Sequence, residues 1–445
     1  MASPKEFQRV SQDVEESGPV YAPEDDSALS FRNRQQPPTI RQRLRSCSKR
    51  NIAIAVAVVL LCCVIVALLI ATSVQRSGAR AAHHELPSAE KVKFIFVGFR
   101  HGNRNPGQFL KNDTSYKDWA WEGPSQLTNI GKRQAAALGA FLRQRYDKLV
   151  SAEFFPSQVK AFSSSAERCQ QTLQSCMSGF FPPKGRSIWS SYLKWQPIPY
   201  EINDPLLRMY NVECPHYKTA YKAIGDDTAA AAKEWLIRDK DLIQYIAKKS
   251  GLNASLSDMG DVADNIMNMK MLKVQLPRWV THPDFPGYPP KDMVSAILSF
   301  AEAHQVLCAN DSECARIMAG LWLDHIIQTA QGLKNGTIKD RVAHFYAAHT
   351  ETVLSLIRLM KAEDVAETPT SAGLILEYTD IPTPSVRFIF HEPDPNNPDV
   401  RIAEVKSLPY CAGQEWCDLT TFIQNTKEPS FSDWKTACKL PKCPI

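Results

Sequence analysis

A run of twenty residues without a charged or amide side chain, residues 52–71, constrains this chain more than any other feature. Leu60, Leu61, Val64, Ile65, Leu68 and Leu69 lie at its centre. As a helix it spans about 30 Å, the thickness of a bilayer's hydrocarbon core. A buried globular helix seldom lacks a polar residue on every face, so the segment reads as a transmembrane anchor over residues 51–74. Arg41, Arg43, Arg45, Lys49 and Arg50 precede it, against Arg76 and Arg80 beyond. That bias places the N-terminus in the cytoplasm and the remaining chain outside the cell or in an organelle lumen, plasma-membrane or endolysosomal. A cleaved signal peptide fits less well, because residues 1–50 precede the apolar run. Those residues read as a disordered tail: Glu15, Glu16, Glu24, Asp25 and Asp26 mix with Pro19, Pro23, Pro37 and Pro38, without apolar periodicity.

The residues after the anchor suit an oxidising compartment. Asn-x-Ser/Thr sequons begin at Asn112, Asn253, Asn310 and Asn335, which makes a glycoprotein the expectation. Nine cysteines follow the anchor: Cys169, Cys176, Cys214, Cys308, Cys314, Cys411, Cys417, Cys438 and Cys443. An odd number leaves at least one thiol free or paired between chains. None forms a zinc-type pair of pairs. The net charge of +5, without a basic run interleaved with aromatics, does not suggest a nucleic-acid partner.

After a polar linker at 75–91, residues 92–99 are aromatic and β-branched and read as a buried strand. Helical spacing follows over 127–146 through Ala135, Leu138, Phe141 and Leu142, then a strand at 158–162 and a helix at 166–179. Residues 215–335 read mostly as helix. A second core strand at 342–348 leads into a helix at 352–360, and strand signals return at 374–378, 386–391 and 400–405. The pattern predicts an α/β fold: a central, mostly parallel sheet flanked by helices, with a helical cap inserted at about 200–335.

Three predicted strand ends carry the chemistry. The first runs Phe99-Arg100-His101-Gly102-Asn103-Arg104-Asn105-Pro106. Ligands of open α/β sheets gather at the carboxyl ends of strands. Arginine's planar fork matches phosphate or carboxylate oxygens, and imidazole can act as a nucleophile at phosphorus or as a general base. The second end, His344-Phe-Tyr-Ala-Ala-His349-Thr350-Glu351, supplies a histidine and an acid at a helix N-terminus. The third, Phe162-Ser-Ser-Ser-Ala-Glu-Arg168, adds an arginine. Singly, each has a plain structural explanation: a solvated loop, a capping acid, a surface charge. Together they predict an anion pocket.

Arg100-His101-Gly102-x-Arg104-x-Pro106 resembles the signature of the histidine acid phosphatases, a branch of the histidine phosphatase superfamily. The likeness continues through Gln126-Leu127-Thr128-x-x-Gly131, Trp195-Gln196-Pro197-Ile198-Pro199 and Asp433-Trp434-x-Thr436-x-Cys438, and covers residues 92–445 as one domain. The resemblance implies hydrolysis of phosphate monoesters, on a small ester or a phosphorylated macromolecule, with His101 as the nucleophile that forms a phosphohistidine. It implies that Arg100, Arg104 and Arg168 clamp the phosphate and that His349 completes the pocket as a hydrogen-bond donor. No metal or other cofactor is implied. Disulfides Cys214–Cys438 and Cys411–Cys417 and a homodimer are also expectations of the family. Cys308–Cys314 is expected as a local bridge on its own account. Cys169 and Cys176 lie about 10.5 Å apart along a predicted helix, too far to pair.

The chain departs from the family at the residue after the second histidine. Acid phosphatases carry there an aspartate that protonates the leaving alcohol; this chain has Thr350. Threonine cannot supply that proton. Glu351 resembles instead the glutamate of the His-Ala-Glu arrangement in inositol polyphosphate phosphatases, which assigns it the proton donor's role. Phe162, Ser165 and Cys169 also occupy family polar positions. The rival expectation, favoured by Thr350, is a pseudophosphatase that binds anionic or phosphorylated ligands without turnover.

Overall fold

The computed structural model describes residues 86–441 apart from 226, 228, 288 and 302. The expected tail, anchor and most of the linker therefore lie outside the described residues, as does Cys443. Among the described residues no helix is long and apolar enough to cross a membrane.

Strands β1 (Phe94–Arg100), β2 (Val159–Ser163), β3 (Glu201–Ile202), β4 (Ala343–Ala348), β5 (Gly373–Thr379), β6 (Ser385–Asp394) and β7 (Asn397–Val405) form one sheet in the order β3-β2-β4-β1-β5-β6-β7. A short β8 (Cys417–Asp418) pairs with β6. The half β3-β2-β4-β1 is parallel. From β1 through β5, β6 and β7 every pairing is antiparallel. This corrects the expectation of a mostly parallel sheet: the sheet is mixed. The reason is the length of the links. Residues 380–384 and 395–396 join β5 to β6 and β6 to β7, too short for the crossover that parallel neighbours need.

Every residue of β1 is buried, because both faces of the strand are covered. Phe94 and Phe96 pack in one cluster with Trp322, Leu323 and Ile326, which come from a long helix labelled below as α4. Ile95, Val97 and Phe99 point the other way, into a cluster with Leu138, Leu142, Leu173 and Met177. Those residues belong to helices α1 (Asn129–Arg145) and α2 (Glu167–Phe180). Between β3 and β4 the described chain is helical apart from its connections. This stretch includes α3 (Leu256–Met271) and α4 (Ser312–Lys334), and α3 contributes to a third apolar cluster with Met259, Val262 and Ile266. Helix α5 (Thr350–Leu359) follows β4 directly.

Cys214 pairs with Cys438, Cys308 with Cys314 and Cys411 with Cys417, while Cys169 and Cys176 are buried free thiols. Far from the strand ends, the fully buried Glu377 of β5 accepts hydrogen bonds from Arg145 Nε (2.9 Å), Tyr146 Oη (2.5 Å) and Arg387 Nε (2.6 Å). The same two arginines donate to the carbonyls of Pro87 and Ser88, so this network ties the start of the domain to the sheet.

Candidate active site

The register of the parallel half brings the predicted strand ends together. Arg100 lies opposite Ala348 across β1 and β4, so His101 and His349 leave adjacent strands side by side. Their ring centroids are 5.5 Å apart. Ser163 lies opposite Ala347 across β2 and β4, which carries Ser164 to His349 and Arg168 onto the first turn of α2.

The loop after β1 is fixed by its neighbours. The His101 N–H donates to the Ala348 carbonyl (3.0 Å), and the His101 carbonyl accepts from the Ser371 N–H (2.9 Å). The N–H groups of Gly102 and Asn103 donate to Thr172 Oγ1 (3.0 Å) and Gln134 Oε1 (2.8 Å). Gly102 is required here because any Cβ would strike the backbone of Gly131 on the first turn of α1.

Hydrogen bonding sets the tautomer of each imidazole. Nδ1 of His101 lies 2.9 Å from the Gly102 carbonyl, which can only accept, so Nδ1 holds the proton and Nε2 carries the lone pair. For His349 the order is reversed. Arg168 Nη2 can only donate, and it lies 3.3 Å from His349 Nδ1. Nε2 of His349 therefore carries the proton, directed at Ser164 Oγ at 2.9 Å. Burial holds the pKa of His101 well below the usual histidine value, assisted by the charges of Arg168, Arg100, His349 and Arg104. Burial acts first on His349 also, followed by Arg168, Arg208, Arg100 and Arg104. Both rings are thus neutral, which for His101 is the nucleophilic form.

Arg100 is buried and donates through Nη1 to the Thr368 carbonyl at 2.8 Å. Arg104 is half-buried and paired with Asp264 of α3 at 2.9 Å. Thr350 is buried, whereas Glu351 is half-buried on the first turn of α5. Its charge, after burial, raises the pKa of Tyr210 and Tyr217. Tyr210 in turn lies 5.5 Å from His349, centroid to centroid. Arg100, His101, Arg104, Arg168 and His349 therefore converge, with Glu351 at their margin. Among the described residues no group of three or more His, Cys, Asp or Glu is placed to hold a metal ion.

Sequence reasoning missed Ser164, Arg208, Tyr210 and Asp264. For Asp264 a signal existed: Asp258, Asp261 and Asp264 recur at three-residue spacing on one face of a cap helix. Arg208 and Tyr210 follow a four-residue helix, Asp204–Leu207, and no periodicity marked them.

The model of the histidine phosphatase superfamily (branch 2) matches residues 71–391. The chain belongs to this family. Lysosomal acid phosphatase of Xenopus laevis is 25% identical over 368 residues, covering 80% of this chain and 80% of that protein. Prostatic acid phosphatase of Bos taurus is 25% identical over 365 residues, 79% of this chain and 89% of that one. Among solved structures, the apo form of Hafnia alvei phytase superposes with a TM-score of 0.57 at 13% identity, covering 80% of this chain and 100% of its own. That likeness is one of fold. It agrees with the mixed sheet, whose parallel half in this histidine phosphatase carries the two histidines.

Proposed function

We propose that this histidine phosphatase hydrolyses phosphate monoesters as an acid phosphatase through a phosphohistidine on His101. One observation carries the reading: the Gly102 carbonyl fixes the proton on Nδ1 and leaves the lone pair of Nε2 in a pocket of guanidinium groups. In the first step Nε2 attacks phosphorus, the ester P–O bond breaks, and the departing oxygen takes a proton from the Glu351 carboxyl. In the second, water attacks the phosphohistidine, gives its proton to the Glu351 carboxylate, and the N–P bond breaks to release phosphate. Arg100, Arg104 and Arg168 neutralise the oxygens of the transferring group, which needs positioning and charge more than covalent help. His349 steadies Arg168. To donate to a phosphate oxygen itself, it has to give up its bond to Ser164.

The apolar residues 52–71 and their basic flank support a single-pass type II anchor, with the enzyme extracellular or lumenal. The names of the lysosomal and prostatic relatives and the three disulfides favour the same side. Asn112, Asn253, Asn310 and Asn335 are all exposed, as glycan acceptors must be. A homodimer is the assembly the family leads us to propose. Hydrolysis of an aryl phosphate by the full chain, with an acid-labile phosphoenzyme that disappears in His101→Ala, tests the chemistry. Thr350 favours a second reading, a phosphate-binding pseudophosphatase; phosphate binding without any turnover or phosphoenzyme selects it.

A further inference from the structure

The arginines around the two histidines do not stand in equivalent surroundings. Asp264 pairs with Arg104 and withdraws part of its charge from the pocket. No ion pair among the described residues includes Arg168 or Arg208. Arg208 is half-buried and held from two sides: Nη1 donates to Ser165 Oγ and Nε to Tyr210 Oη, each at 3.3 Å. Its guanidinium carbon also lies 5.4 Å from the centroid of the Tyr210 ring, the ring that faces His349. Ser165 directly follows Ser164, the hydrogen-bond partner of His349. Asp204 stands near, but Ser165 N–H and Asn211 Nδ2 occupy its two oxygens. Arg208 is thus anchored on the rim formed by the end of β2, and its Nη2 has no hydrogen-bond partner among the described residues.

Two guanidinium groups that share a pocket and make no ion pair there repel each other and are partly desolvated. Folding gains nothing from that arrangement, whereas an oxyanion between them relieves both costs. The like-charge effect is felt at Arg168, whose pKa is lowered first by burial and further by Arg104 and Arg208. We propose that Arg208 is a fourth phosphate-binding arginine, which takes an oxygen of the bound phosphate between itself and Arg168 and makes up the charge that Asp264 withdraws from Arg104. Ser165 and Tyr210 aim it, using two nitrogens and leaving the third for the ligand.

This proposal rests on the phosphatase reading, and the two fail differently. Absence of aryl phosphate turnover by the unaltered chain removes the enzyme; it does not touch phosphate binding, which is read independently as thermal stabilisation by inorganic phosphate. The decisive variant is Arg208→Gln in the full chain, which keeps hydrogen-bonding reach but loses the charge. Competitive inhibition by inorganic phosphate should weaken about tenfold or more, the loss expected for one charge-assisted hydrogen bond. KM for an aryl phosphate should rise in parallel, with a smaller change in kcat, while the melting temperature without phosphate stays close to that of the parent. Arg208→Met should behave alike, and Arg208→Lys should recover part of the loss. Phosphate inhibition within twofold of the parent in a folded Arg208→Gln or Arg208→Met chain overturns the proposal. So does failure of both variants to fold, because it would make Arg208 a structural residue.

Discussion

Replacing His344 by phenylalanine should make the protein less sensitive to acid. His344 is buried on β4 among aromatic rings, with centroids 5.0 Å from Phe94, 6.1 Å from Phe96 and 5.7 Å from Phe162. Its Nδ1 meets the Tyr346 hydroxyl at 3.0 Å, and its Nε2 has no hydrogen-bond partner among the described residues. Burial, followed by the neighbouring His325, Arg341 and Lys160, pushes its pKa down to about 2 from an ordinary 6.5. The folded state therefore stays unprotonated while the unfolded chain takes up a proton below about pH 6.5. Protons bound preferentially by the unfolded chain lower stability as pH falls. The loss approaches about 1.4 kcal/mol per pH unit below pH 6.5 and sums to about 2 kcal/mol between pH 7 and pH 5. His344→Phe removes this loss, at a cost of about 1 kcal/mol at every pH for the Tyr346 hydroxyl. Urea unfolding of the full chain in detergent, followed by tryptophan fluorescence at pH 7 and pH 5, gives both stabilities. The parent should lose about 2 kcal/mol more than the variant over that interval. Parallel losses in the two proteins would refute the argument, because His344 would then titrate alike folded and unfolded.

Glu351→Gln should slow single-turnover phosphoryl transfer far more for an alkyl phosphate than for an aryl phosphate, by roughly a hundredfold against a few-fold; equal losses would leave Glu351 as a helix cap. Asp264→Asn should release Arg104 toward the ligand, and inhibition by inorganic phosphate should strengthen about fivefold; unchanged or weaker inhibition would mean that Asp264 serves to orient Arg104. Glu377→Gln should cost about 3–5 kcal/mol, seen as a lowered melting temperature, because it removes the buried carboxylate shared by Arg145 and Arg387 and leaves Arg387 only its pair with the more exposed Glu415. A fall of less than about 1 kcal/mol would show that the two arginines find other partners.

The parts of the site legible in the sequence were those whose placement follows from local patterning. A strand buried on both faces needs a continuous apolar run, and the residues of β1 and β4 supply one that ends in a polar turn. Such a run locates the strand end and hence His101 and His349. It does not say which strand lies beside which, so direction had to be inferred from connections. Residues 380–384 and 395–396 already excluded parallel neighbours there, and it was the helices elsewhere that suggested the wrong rule for the whole sheet. The two-residue β3 carries no pattern of its own, since Glu201 and Ile202 are both exposed at the edge. Asp264 comes from a helix of the cap and Arg208 from the connection after the short helix Asp204–Leu207, and both reach the site only through tertiary packing. The three-residue spacing of Asp258, Asp261 and Asp264 marks a face but not its partner, and the same holds for Glu377, whose partners Arg145 and Arg387 are distant in sequence.

The residues that escaped the sequence also decide how the site responds to acid. Burial and the guanidinium groups keep His101 and His349 unprotonated, with His349 held between Arg168 and Ser164. A phosphate ester that binds there brings negative charge against the same groups and opposes their lowering of each imidazole pKa. Substrate binding is then favoured by protonation of a neighbour, while attack still needs the lone pair on His101 Nε2, the nitrogen left unprotonated when Nδ1 donates to the Gly102 carbonyl. Thr350 cannot donate a proton at the helix N-terminus, whereas the charge of Glu351, one residue on, acts on Tyr210, the ring that Arg208 contacts. Arg208, proposed for the phosphate, and Glu351, proposed for the leaving oxygen, are thus both coupled to Tyr210, beside the clamp of Arg100, Arg104 and Arg168.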